Sequence, residues 1–148
     1  MIAIAVGRLR ARIAAASNGA RNFALTANPQ PRRPMPYLKI QTNLPLTKKA
    51  ERTILQDASA LVAKELDKPE EFVMIALQPN TPMLFGGGDD PVAFLELKSI
   101  GLPARRTKEL CQALCALIEE HLGIRKERVY VKFIDVARGM WGWKGDTF

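Results

Sequence analysis

The chain spells out one order of elements twice, and that repetition constrains its fold more than any other feature. Residues 37–42 alternate, with Leu38, Ile40 and Thr42 on one side and Tyr37, Lys39 and Gln41 on the other, the period-two signature of a strand. Asn43-Leu44-Pro45 breaks it. Thr47 then offers a helix N-cap, and Ile54, Ala58, Leu61, Val62 and Leu66 recur at helical spacing. Asp67-Lys68-Pro69 closes that helix, because the residue before a proline is pushed out of the helical region. A strand at 72–77 completes a β-α-β unit. After a loop at 79–91 the pattern returns: a strand at 92–99, a helix at 105–121 and a strand at 129–135. The second helix carries the stripe Leu110, Leu114, Leu117, Ile118 and Leu122 and stops at Gly123. The stretch Lys68-Pro69-Glu70-Glu71-Phe72-Val73 falls where the second half has Arg125-Lys126-Glu127-Arg128-Val129-Tyr130.

Two crossovers of one hand predict an α+β fold, a single four-stranded sheet with both helices on one face. Phe72-Val73-Met74-Ile75-Ala76-Leu77 does not alternate, which predicts a strand buried on both faces. One helical layer covers one face only. The other calls for a partner subunit, so the pattern predicts an oligomer.

Charge separates the chain into two parts. The formal charge is +7, yet residues 1–34 hold six arginines (Arg8, Arg10, Arg12, Arg21, Arg32, Arg33) and no acid. The rest carries 16 basic against 15 acidic side chains, so attraction to nucleic acid is not a property of the body. We expect residues 1–35 to be a leader, either disordered or missing from the mature protein, and 36–148 to be the folded domain. The leader is either an organellar transit peptide or upstream sequence preceding a start at Met35; a secretory signal fits less well, because Arg8 interrupts its apolar run. The expected location is the cytoplasm, or an organelle if the leader is a genuine transit peptide. No stretch reaches the roughly 18 apolar residues of a membrane span.

A single histidine, His121, and two cysteines, Cys111 and Cys115, fall short of the four ligands of a structural zinc site. The cysteines lie four apart on the apolar side of the second helix and read as small buried hydrophobes. Phe85-Gly86-Gly87-Gly88 lacks the Lys-Ser/Thr of a phosphate loop, and Asp89-Asp90 follows it; it reads as a turn.

From Pro36 to Phe148 the chain resembles the macrophage migration inhibitory factor family of the tautomerase superfamily. The resemblance rests on Met35-Pro36, Thr42-Asn43-Leu44-Pro45, Lys68-Pro69, Pro79 with Met83-Leu84-Phe85-Gly86-Gly87, Ser99-Ile100-Gly101, Arg128-Val129-Tyr130, and Gly142-Trp143 with Thr147-Phe148. It implies a homotrimer of βαβ-βαβ subunits and a cofactor-independent keto–enol tautomerase, an isomerase of phenylpyruvate- or dopachrome-like compounds. It makes Pro36 the catalytic amine, Lys68 the cation for the substrate carboxylate, and Ile100 a backbone N–H lining the pocket. Tyr130 matches an aromatic contributed by the neighbouring subunit. Lys132 stands where animal members have Asn, which makes the pocket more cationic. The CxxC of some animal members is replaced by Val92-Ala93-Phe94-Leu95, so redox activity does not carry over. The alternative is a trimeric interaction or signalling protein without physiological catalysis.

The residue types suit the chemistry. Tautomerisation needs a base that is unprotonated near neutral pH. A free α-amino group starts near pKa 7.7–8.0, and burial lowers it. Lys68 and Lys132 would add like-charge repulsion, hold a carboxylate and stabilise an enolate. All of this requires Pro36 to be the terminus; as an internal amide it has no basicity.

Overall fold

The computed structural model describes residues 35–148. The leader, apart from Met35, lies outside the described residues. The long elements are β1 (Tyr37–Thr42), α1 (Lys48–Leu66), β2 (Met74–Gln78), β3 (Ala93–Ser99), α2 (Thr107–Leu122) and β4 (Val129–Asp135). They form one mixed sheet in the order β2-β1-β3-β4, with β1 and β3 antiparallel at the centre and a parallel crossover strand on each side. This is the expected α+β architecture.

Alternation decides which side is buried. Leu38, Ile40, Leu95 and Leu97 are fully buried, and with Ile54, Ala58 and Val62 of α1 and Leu110, Leu114 and Ile118 of α2 they make one core. Burial of a side chain of this size stabilises by about 1.5–3 kcal/mol, so this layer carries most of the fold's stability. The opposite sheet face carries Tyr37, Lys39 and Gln41 from β1 and Phe94, Glu96 and Lys98 from β3, all half-buried.

The helix ends follow their sequence signals. Thr47 is extended, and its Oγ1 accepts the Ala50 N–H at 3.2 Å, an N-cap. At the other end Asp67 takes the left-handed conformation (φ 52°), and the N–H groups of Asp67 and Lys68 close onto the carbonyls of Lys64 and Ala63. Gly123 does the same for α2 at φ 66°.

Three features differ from the sequence expectation. The second strand begins at Met74, because Glu70–Phe72 folds into a 3-10 turn. Nor is β2 buried on both faces within one subunit: it is an edge strand, and Met74 is 61 % exposed. Phe72 is buried, and its ring meets that of Trp143 edge-on at 5.8 Å, a partner no local pattern reveals. Secondly, Ala104–Arg106 forms a 3-10 turn, so α2 proper starts at Thr107. Thirdly, the tail closes as a two-stranded ribbon, β5 (Gly142–Trp143) with β6 (Asp146–Thr147), over Lys144 and Gly145, both at positive φ. Gly86 and Gly87, also at positive φ, turn the chain between Phe85 and Gly88, as a turn requires.

Candidate active site

Pro36 is buried just ahead of β1, and its carbonyl accepts the Met74 N–H at 2.9 Å. Tyr37 pairs with Lys98, so the antiparallel register carries Pro36 beside Ser99, one position before Ile100. Ser99 and Ile100 are buried, and the Ser99 carbonyl accepts the Val136 N–H at 3.0 Å. Lys68, half-buried, reaches the same corner from the end of α1. Together Lys68, Ile100, Gly101, Asp135, Val136, Ala137 and Arg138 line an open cavity of about 420 Å³. That volume suits a small organic acid. The Asp135 carboxylate forms one wall; its Oδ1 accepts the N–H groups of Gly101 at 2.8 Å and Leu102 at 3.0 Å, which fixes the turn carrying Ile100.

The fold therefore gathers Pro36, Lys68 and Ile100 at one corner. It does not bring Tyr130 and Lys132 there within one subunit. Tyr130 pairs with Phe94, which pairs with Gln41 near the far end of β1. At roughly 3.3 Å per residue this is more than 15 Å along the strand from Pro36. Tyr130 is 61 % exposed, with its ring 5.1 Å from that of Phe85. Lys132 Nζ lies 3.3 Å from one Glu96 oxygen while Lys98 Nζ lies 2.7 Å from the other. The Lys98 hydrogen bond first, and the Lys132 bond with it, hold the Glu96 carboxyl below the usual carboxylate range against a smaller opposing effect of burial. Lys132 thus shares one carboxylate with Lys98, at the longer distance of the two.

Sequence reasoning missed Arg138 as a cavity residue. It follows β4 on the 3-10 turn Arg138–Met140, and only the curl of that turn over Ile100 and Gly101 puts it there. Cys115 is buried, and Cys111 half-buried, both as free thiols; burial and the neighbouring Cys111 push the Cys115 thiol up to about 11.

The sequence profile described as Macrophage migration inhibitory factor (MIF) matches residues 35–148. The chain belongs to that family. A macrophage migration inhibitory factor homolog from Brugia malayi is 37 % identical over 115 residues, covering 77 % of this chain and 99 % of its own. Among solved structures, the homologue from Prochlorococcus marinus shares 42 % identity at a TM-score of 0.72, over 76 % of this chain and 98 % of its own. The Toxoplasma gondii protein gives 33 % and 0.71, over 76 % and 99 %. The matched part of this macrophage migration inhibitory factor family member thus spans nearly the full length of these relatives.

Proposed function

We propose that this chain is a cofactor-independent keto–enol tautomerase of carboxylated α-keto compounds of the phenylpyruvate or dopachrome type. Pro36 acts as its base once it is the N-terminal residue. The observation that carries this reading is the burial of Pro36 at the corner where Lys68 and Ile100 line a cavity. A secondary amine buried there would be desolvated, with the Lys68 cation at the same corner, and both effects favour its neutral, basic form near pH 7. It takes the proton from the carbon beside the carbonyl and returns it to the other end of the enolate. Lys68 holds the substrate carboxylate and balances the developing oxyanion. The Ile100 backbone N–H lines the pocket.

Tyr130 and Lys132 would complete the pocket from a neighbouring subunit, since they stand on the exposed edge strand β4 far from Pro36 in their own chain. The half-buried sheet face and the edge strands β2 and β4 are the surfaces on which a homotrimer would close.

The test is the state of Pro36. An amide nitrogen shares its lone pair with its carbonyl and is no base. The full chain should have little or no phenylpyruvate turnover even when folded, and a form whose intact mass places Pro36 at the terminus should be active. Pro36→Ala, which keeps a primary amine, should lose activity in part, and Pro36→Gly with the preceding Met uncleaved should lose it all. Equal turnover by the full-length and Pro36-terminal proteins would transfer the base to another residue.

A further inference from the structure

The cavity beside Pro36 holds a second cation for which a monocarboxylate has no use. Arg138 lines it together with Lys68. The backbone that carries it is fixed from several sides. The Val136 N–H binds the Ser99 carbonyl at 3.0 Å, the Met140 N–H binds the Ala137 carbonyl at 2.9 Å, and the Trp141 N–H binds the Arg138 carbonyl at 3.0 Å. Among the described residues, neither Lys68 nor Arg138 takes part in an ion pair. The one acid of the lining, Asp135, spends its Oδ1 on two backbone N–H groups. Lys132, by contrast, is paired with Glu96. The two unpaired cations of the site therefore share one space of about 420 Å³, enough for a small dianion.

We propose that the site takes a dicarboxylate, with the carboxylate next to the keto group on Lys68 and a second carboxylate on the Arg138 guanidinium. A planar guanidinium receives a carboxylate through two parallel N–H bonds, a geometry that an ammonium lacks. Arg138 is then a specificity residue that touches substrate at the end remote from the transferred proton. The assignment rests on the tautomerase reading only for which end of the substrate faces Pro36.

Binding of inert acids separates this inference from that reading. Phenylacetate and 4-carboxyphenylacetate differ by one carboxylate, and neither has a keto group to turn over. Calorimetric titration of the Pro36-terminal protein should show the diacid binding about tenfold or more tighter, the worth of one charge-assisted hydrogen bond. Arg138→Ala should bring the two affinities within about twofold of each other and leave phenylacetate nearly unchanged, while Arg138→Lys should keep part of the preference. Lys68→Ala should weaken both acids. Equal affinities in the wild type, or a preference that survives Arg138→Ala, would overturn the proposal. Arg138 is exposed, so its variants should fold, and unchanged sedimentation and circular dichroism confirm that the loss is local. A wild type that prefers the diacid but does not turn over phenylpyruvate would sink the tautomerase reading and leave the dicarboxylate site standing.

Discussion

The two βαβ halves carry the same backbone but finish their corners in opposite ways. Superposed on their left-handed residues, Asp67 falls on Gly123 and Lys68 on Ile124, one position away from the match that the sequence alone suggested. The strand registers agree, setting Pro36 on Ala93, Lys39 on Glu96, and Thr42 on Ser99. In the second half the residue after the left-handed position is sealed in. Ile124 is 1 % exposed, Ala93 and Val92 are buried, and the segment before β3 is drawn down over them. Asn43 donates to the carbonyls of Asp89 and Asp90 and accepts from the Val92 N–H, while Arg128 donates to the carbonyls of Asp90 and Pro91. Both halves open a cavity beside this corner, about 500 Å³ lined by Asn43, Asn80, Thr81, Pro82 and Asp89 in the second and about 420 Å³ in the first, but the first has two cations, Lys68 and Arg138, on its walls. One scaffold thus buries the residue after the left-handed position in one half and sets it on a cavity wall in the other.

The largest effect should come from exchanging those residues. Ile124→Lys places a charge in a fully buried site and should cost about 3 kcal/mol or more in urea unfolding at fixed protein concentration. Lys68→Ile at the open corner should stay within about 0.5 kcal/mol. Equal costs would erase the distinction between the corners. Next, Lys68→Ala in the Pro36-terminal protein should lower kcat/KM for phenylpyruvate about ten- to a hundredfold while sparing its methyl ester, because only the acid uses the ammonium. An equal loss for acid and ester would remove Lys68 from substrate binding. The smallest effect concerns Glu96, which is held between Lys98 and Lys132. The pKa of Glu96 is depressed in the fold, so its contribution is fully present above its unfolded value of about 4.5 and is lost as pH falls through the lower folded value. Glu96→Gln should flatten the stability–pH curve below pH 4.5, and an unchanged acid limb would show that Lys98 and Lys132 do little for the carboxylate.

Local pattern was enough where one face of an element is buried and its ends are chemically marked. The alternation of β1, the Thr47 cap, the Gly123 stop and the bounds of β4 are all read directly from neighbouring residues. The start of β2 was not legible, since Phe72 lies in a 3-10 turn and packs on Trp143, which lies far along the chain. The β5–β6 ribbon left a trace in Lys144-Gly145, two residues at positive φ between Trp143 and Asp146, but strands of two residues carry no periodicity. Lys68 and Ile100 were found through the family pattern. Arg138 was not, because its place in the cavity depends on how the chain curls after β4, and that curl is set by the Val136 N–H bond to the Ser99 carbonyl and by the Gly101 and Leu102 N–H groups that Asp135 accepts.

The central position of β1 also governs how the chain must assemble in time. Each pairing in the four-stranded sheet joins distant residues, Tyr37 with Met74, Tyr37 with Lys98 and Ala93 with Val129, so the sheet contains no tight hairpin to nucleate it quickly. Contacts of such high sequence separation belong to slowly folding topologies. During synthesis β1 emerges first among the strands, yet its antiparallel partner arrives only with residues 93–99. Until then Leu38 and Ile40 have half a sheet to join, and a nascent chain arrested before β3 would expose them to whatever else is nearby.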